Sequence, residues 1–311
     1  MDGYFVAAPA EELPLAIPVA IEISSDLVPA DTRPEAWPFL GTDLPEMRKR
    51  IEQDTGVVVP GVRIRDGGAS NPAQFRVLVN EIPVATELVP GGDGAVERLR
   101  GVTERLRILL LPHLSEFVGL QEVENRLQSW SEQPGLAALI ARTMPNPSAR
   151  VLFTRVVQTL LREQVPLTRP HDVLEGVQDA GLGEDPAACV RAVRLRLRDL
   201  LPGNASGTKR IPLPPELEES IAVWTWEDRG RAFLAAPPEE VQDWITRLRE
   251  LLSTSPPTEG EPSQVLVTEA WQTRAMLQRL LAFEFPNCPT LSREESAGEA
   301  ESTADRPRPE T

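Results

Sequence analysis

The two histidines, His113 and His171, are where acid–base or metal chemistry would have to start, and neither has the company that such chemistry needs. Both fall in helical contexts without a spaced set of cysteines or aspartates, so no zinc site is expected, and His113 is expected to cap or pack. Cys189 and Cys288 stand far apart and read as ordinary half-buried thiols of a reducing compartment. Gly91-Gly-Asp-Gly94 lacks the Gly-Lys-Ser/Thr ending that holds a nucleotide phosphate and reads as a turn. No Gly-x-Ser-x-Gly elbow occurs, and the serines cluster in linkers and the tail. The pairs Glu218-Glu219 and Glu239-Glu240 sit at helix starts, where carboxylates complement the macrodipole. Asn204-Ala-Ser206 is a formal glycosylation triplet that matters only on a secretory route. The residues therefore predict no catalytic group, no cofactor-binding site and no metal ligand set.

Charge offers more. Arg48, Lys49 and Arg50 form a basic cluster on a predicted helix, and in a chain of net charge −15 they are the candidate contact for a partner or a neighbouring subunit. The arginines of the segment Arg191, Arg194, Arg196 and Arg198 interleave with Val193, Leu195, Leu197 and Leu200. Part of that helix must be buried, so its arginines are expected to pair with carboxylates of a neighbouring element or subunit. An acidic surface, with a pI near 4.8, disfavours nucleic acid and anionic lipid. No apolar run approaches the ~20 residues needed to span a bilayer, and no basic region leads into an apolar core at the start, so neither membrane insertion nor a signal peptide is expected. Trp224 and Trp226 alternate as strand residues do, and core packing is expected of both.

The elements that position these residues follow from periodicity. Val62 to Arg65 alternates apolar and charged residues, Gln74 to Val79 repeats the pattern with Phe75, Val77 and Val79 on one face, and Ile82 to Leu88 gives a third strand after a tight turn at Asn80-Glu81. The helix Asp43 to Thr55, capped by Thr42 or Asp43, supplies Leu44, Met47 and Ile51 to cover them. Ile17 to Ile23 reads as a further strand. From Gly119 to Leu201 the pattern is helical; Ser148 to Glu163 carries Val151, Leu152, Val156, Leu160 and Leu161 at a 3.6-residue period, with Ser148 as its cap. Strand Arg210 to Leu213, helix Glu239 to Ser253, strand Val265 to Thr268, helix Ala270 to Phe283 and a last strand follow. At 311 residues, two to three cores are expected. The fold class is α+β in several subdomains: a flexible arm (1–16), a first α+β domain of small mixed sheet and covering helices (17–118), an all-helical domain (119–202), a C-terminal α/β lobe (208–293) and a disordered acidic tail (294–311).

Gly56-Val-Val-Val-Pro-Gly-Val-Arg-Ile-Arg-Asp66 followed by Pro72-Ala-Gln-Phe-Arg-Val77 resembles the cytosolic part of the flagellar and type III secretion export-gate family (FHIPEP, FlhA-like). Leu111-Pro-His-Leu-Ser-Glu116, Leu161-Arg-Glu-Gln-Val-Pro-Leu167, Leu213-Pro-Pro-Glu-Leu-Glu218 and the ending at Pro286 to Ser292 continue the resemblance in the family's order. It implies a cytoplasmic protein-interaction scaffold, peripheral to a membrane complex, whose relatives form a nonameric ring and receive substrates, chaperones and an ATPase complex. Relatives insert a small docking subdomain after the position of Leu88; here Pro90-Gly-Gly-Asp-Gly94 leads almost directly into a helix. The expectation is a soluble, stand-alone relative without the membrane portion or the insertion, a non-enzymatic adaptor or orphan component that binds protein partners. Two other classes stay open at the level of sequence: an enzyme with a site between the first and helical domains, and a helix-turn-helix-like DNA-binding regulator built on the helical segment.

Overall fold

The computed structural model describes residues 16–28, 37–66, 72–89, 91, 95–181, 186–205, 207–228, 231–253, 264–285 and 288–296. All but the last residue of the expected arm (1–16), the turn at 67–71, most of 90–94, the loop 254–263 and the tail from 297 onward lie outside the described residues. The fold is mixed α+β, and the chain divides into two compact units, residues 1–122 and 123–311.

In the first unit, β1 (Val19–Ile23), β2 (Val62–Asp66), β3 (Gln74–Val79) and β4 (Ile82–Leu88) form one sheet in the order β2-β1-β3-β4. The strand block of 57–88 is therefore incomplete by itself: β1 lies between β2 and β3, parallel to the first and antiparallel to the second. Every second residue explains why it goes there. Val19, Ile21 and Ile23 are fully buried and stand opposite Val79, Val77 and Phe75, so an apolar row runs across three strands. On the other face Glu22 stands in register with both Arg65 and Arg76 and lies 3.2 Å from Arg76 Nη1. Asn80 and Glu81 both adopt positive φ (49° and 67°), the conformation that a two-residue hairpin of the right twist requires. Glu81 is held there by a bidentate pair with Arg65, at 2.7 and 2.8 Å.

The covering helix α1 (Leu44–Thr55) buries Leu44, Met47 and Ile51 as its spacing predicts. Its start differs from expectation. Asp43 is itself helical and makes no side-chain cap; a wider turn over Phe39–Asp43 feeds straight into α1, with Leu44 N donating to Phe39 O. Trp37 and Phe39 are buried there, and that burial fixes the entry. Helix α2 (Ala95–Leu110) follows β4, leaving only residues 89–94 between them.

The second unit begins within α3 (Leu120–Ser131) and continues with α4 (Leu136–Thr143), α5 (Pro147–Arg162), α6 (Pro170–Ala180) and α7 (Pro186–Arg196). Asn146, rather than Ser148, caps α5: its side chain accepts from Ala149 N at 2.9 Å, and Pro147 takes the first helical position. Val151, expected in the buried stripe, is 41% exposed, and Phe153 and Val157 are buried instead. Gly176 lets α6 and α7 touch; a Cβ there would lie 2.8 Å from Val193 Cα. The same unit holds a parallel sheet of β5 (Lys209–Pro212), β8 (Gln264–Thr268) and β9 (Thr290–Ser292) in the order β5-β8-β9. Helices α8 (Pro215–Val223), α9 (Pro238–Ser253) and α10 (Trp271–Glu284) pack with it around Leu217, Ile221, Trp244, Leu248, Leu266, Leu277 and Leu281. A hairpin of β6 (Thr225–Asp228) and β7 (Arg231–Leu234) stands apart from that sheet. The last element, α11 (Arg293–Ser296), takes in Glu294 to Ser296, which composition assigned to the acidic tail.

Candidate functional site

The arginines of α7 divide between burial and surface as their apolar neighbours dictate. Arg194 is almost wholly enclosed. Its Nε donates to Glu295 Oε1 at 2.6 Å, its Nη2 to Thr290 O at 3.2 Å and Glu295 Oε2 at 3.1 Å, and its Nη1 to Glu163 Oε2 at 2.9 Å. Arg274 of α10, equally buried, places Nη1 2.8 Å from the same Glu163 oxygen, at an angle that makes an ion pair but no hydrogen bond. Two cations and two anions from α5, α7, α10 and α11 thus neutralise one another inside the unit. Burial by itself would lower the pKa of Arg194, but the Glu163 charge and the Glu295 hydrogen bonds outweigh it and hold the group above its usual value. Burial likewise raises Glu295, and Arg194 overrides it, leaving that carboxyl below the ordinary range. Ser292 and Glu295 also close a reciprocal cap, with Ser292 N donating to Glu295 Oε2 at 2.8 Å and Glu295 N to Ser292 Oγ at 3.4 Å. Toward the surface, Arg191 pairs with Glu294, and Arg196 with Glu175 and Asp179.

Beside this network α5, the end of α6, α7, α10 and Phe233 of β7 line a cavity of about 720 Å³. Arg155, Arg162, Arg191, Arg274 and Arg279 face it, against the carboxylates of Glu163 and Asp179. Both carboxylates are already spent, on Arg194 with Arg274 and on Arg196. Arg274 Nε and Nη2 and Arg191 Nε are buried without a hydrogen-bond partner. The Arg274 guanidinium also lies 5.3 Å from the ring centre of Trp271, a cavity residue. The hairpin above carries exposed apolar surface. Trp226, 60% exposed, stacks on Phe233, its cross-strand neighbour, at 5.9 Å. Core packing is therefore not the role of Trp226: among the described residues β6 pairs only with β7, and this side chain is left largely exposed.

The basic cluster on α1 separates into two kinds of residue. Arg48 is turned inward and donates from Nε and Nη2 to Val59 O at 2.9 and 2.8 Å, tying the helix to the segment before β2. Lys49 and Arg50 are exposed. His113 Nδ1 lies 2.7 Å from Glu116 Oε1. His171, Asp172 and Glu175 bring their ligand atoms within 4.8 Å of one another, but Glu175 is also 2.5 Å from Arg196, a cation that already occupies its carboxylate. Glu218 accepts from Glu269 N and Ala270 N at 3.0 and 2.8 Å, so it organises the entry to α10 in addition to sitting in the first turn of α8. Cys189 and Cys288 are buried and unbridged, and burial pushes the Cys288 thiol up to about 11. Sequence reasoning missed Glu163 and Glu295 as partners of Arg194, and Arg274 as the second cation on Glu163. Only the Ser-x-x-Glu cap spacing of Ser292 and Glu295 could have flagged one of them. No described helix is long and apolar enough to cross a membrane.

Comparison with known proteins places this geometry in a wider group. The hypersensitivity response secretion protein HrcV of Ralstonia nicotianae is 24% identical over 88% of this chain and 45% of its own. The chain spans about half the length of the curated relatives it matches. The structure of the Chlamydia pneumoniae CdsV and CdsO protein complex matches with a TM-score of 0.74 at 20% identity, covering 93% of this chain and 96% of that chain. Nonameric EPEC SctV-C matches with a TM-score of 0.68 at 16% identity, covering 92% and 96%. A model described as the FHIPEP family matches residues 91–301, well over half of the sequence, and the chain belongs to that family.

Proposed function

We propose that this chain is a cytoplasmic, non-enzymatic protein-interaction platform of the export-gate kind, acting as an adaptor or orphan component. The observation that carries the reading is the family match over residues 91–301 together with a fold shared across nine-tenths of the chain with solved export-gate domains. Self-association and partner binding follow by analogy with a nonameric assembly and a two-protein complex among those relatives. Lys49 and Arg50, exposed on α1 of an acidic molecule, are the proposed contact, and Arg48 is the intramolecular tie that keeps α1 in place.

The adaptor part of the reading rests on the short passage from Leu88 to Ala95, where the resemblance to the export-gate family implies a docking subdomain. It predicts that purified flagellar export chaperones give no binding heat in a calorimetric titration against this chain. Micromolar binding would show that chaperone docking survives without the insertion and would overturn the adaptor assignment.

A further inference from the structure

We propose that the arginine-lined cavity of the second unit binds a short acidic peptide segment with apolar residues interspersed. The inference deepens the reading above by giving one of the platform's surfaces a partner chemistry, and it rests on that reading.

The charge arithmetic of the cavity points to an anion. Five arginines face it; Arg191 and Arg274 are themselves paired, with Glu294 and Glu163, and the carboxylates of the lining, Glu163 and Asp179, are engaged by Arg194, Arg274 and Arg196. Arg155 and Arg162, exposed on α5, have no ion pair among the described residues. Deeper in, Arg274 is fully enclosed and has two nitrogens, Nε and Nη2, with no acceptor, and Arg191 has its Nε in the same state. A buried donor without an acceptor costs about 1–3 kcal/mol, so a ligand oxygen delivered to it recovers that cost. Guanidinium groups match carboxylates in a planar, two-pronged way that an ammonium cannot. In a molecule of net charge −15, a positive recess also stands out electrostatically from the acidic surface around it.

The lining decides which anion. Phe233, Trp271 and Met276 are cavity residues, and Phe233 continues outward to the exposed Trp226. A bare oxyanion leaves that apolar surface wet. A peptide that alternates carboxylates with apolar side chains covers it while reaching the arginines, and a cavity of about 720 Å³ admits a few residues.

The test is fluorescence anisotropy on the full chain with a short labelled peptide alternating glutamate with leucine and phenylalanine, beside its glutamine counterpart. The acidic peptide binds and the glutamine peptide does not. The double variant Arg155→Glu/Arg162→Glu weakens binding roughly tenfold or more, while thermal unfolding followed by circular dichroism stays unchanged because both side chains are exposed. Binding is flat from pH 6 to 9, since arginine does not titrate there, and weakens as salt rises. Equal binding of the two peptides, no binding of the acidic one, or an unaffected double variant overturns the proposal. Displacement of the peptide by an equal concentration of inorganic phosphate also overturns it, by assigning the recess to small oxyanions. The oligomeric mass of the double variant, read by light scattering, reports separately on the platform reading.

Discussion

Glu295 is the residue on which most depends in the second unit, and composition alone consigned it to a tail. Its carboxylate is bound by Arg194 on two sides and is almost fully enclosed. Replacing one partner of such a pair leaves the other charge buried and uncompensated, so Glu295→Gln is expected to cost about 3–5 kcal/mol in urea unfolding. Because the folded-state pKa of Glu295 lies below the usual 4.5, its contribution is complete above that pH and is lost as acidification passes through the lowered value. Wild-type stability should fall steeply below about pH 4.5, and Glu295→Gln should flatten that part of the curve. A parallel acid profile in the two proteins would count against the network. Cys288 gives a second test at this scale. With its thiol near 11, only about one molecule in 3,000 is thiolate at pH 7.5, so the native chain should react with a disulfide reagent only on unfolding. Rapid labelling of the native protein would contradict its burial.

Among the elements, local chemistry was legible where the signal was local. The Asn80-Glu81 hairpin, the stripe Leu44, Met47 and Ile51, and the strand at Gln74–Val79 all stand where alternation and turn residues put them. What local pattern cannot express is the insertion of β1 between β2 and β3, since a strand's neighbours are chosen by long-range burial. The cap of α5 shows a finer limit. Both Asn146 and Ser148 are capping types, and the choice fell to Asn146 because Pro147 has no N–H to satisfy and suits the first helical turn. Asn146→Ala should therefore lower stability by about 1 kcal/mol while Ser148→Ala leaves it nearly unchanged; the reverse order in thermal unfolding would restore the serine cap. Gly176 makes the contact between α6 and α7 testable. An added methyl would meet Val193 backbone at 2.8 Å, so Gly176→Ala is expected to destabilise by about 1–3 kcal/mol, despite alanine's better helix propensity. A stabilised variant would mean that the two helices are further apart than described.

At the level of the whole molecule, kinship and chemistry were legible to different degrees. The strand block ending at Leu88, which carries the recognisable motif, lies outside the 91–301 family match, whereas the curated relatives align over most of the chain. The motif residues serve the fold: Arg65 clamps Glu81, and Asp66 accepts from Ser25 Oγ at 2.8 Å. A conspicuous sequence signature can therefore mark architecture while partner surfaces go unsigned. The arginine cavity was illegible because its arginines come from three helices far apart in the chain, and what distinguishes it is which donors remain unspent after folding. The same holds for Lys49 and Arg50, whose neighbour Arg48 has the same charge but an inward task. Association through that exposed pair is the claim on which the platform reading stands. Multi-angle light scattering over a concentration series measures it directly: the account predicts a mass that rises to a multiple of 34.2 kDa and returns to 34.2 kDa in Lys49→Glu/Arg50→Glu, whereas 34.2 kDa at every concentration, or a double variant that assembles like the wild type, would contradict it.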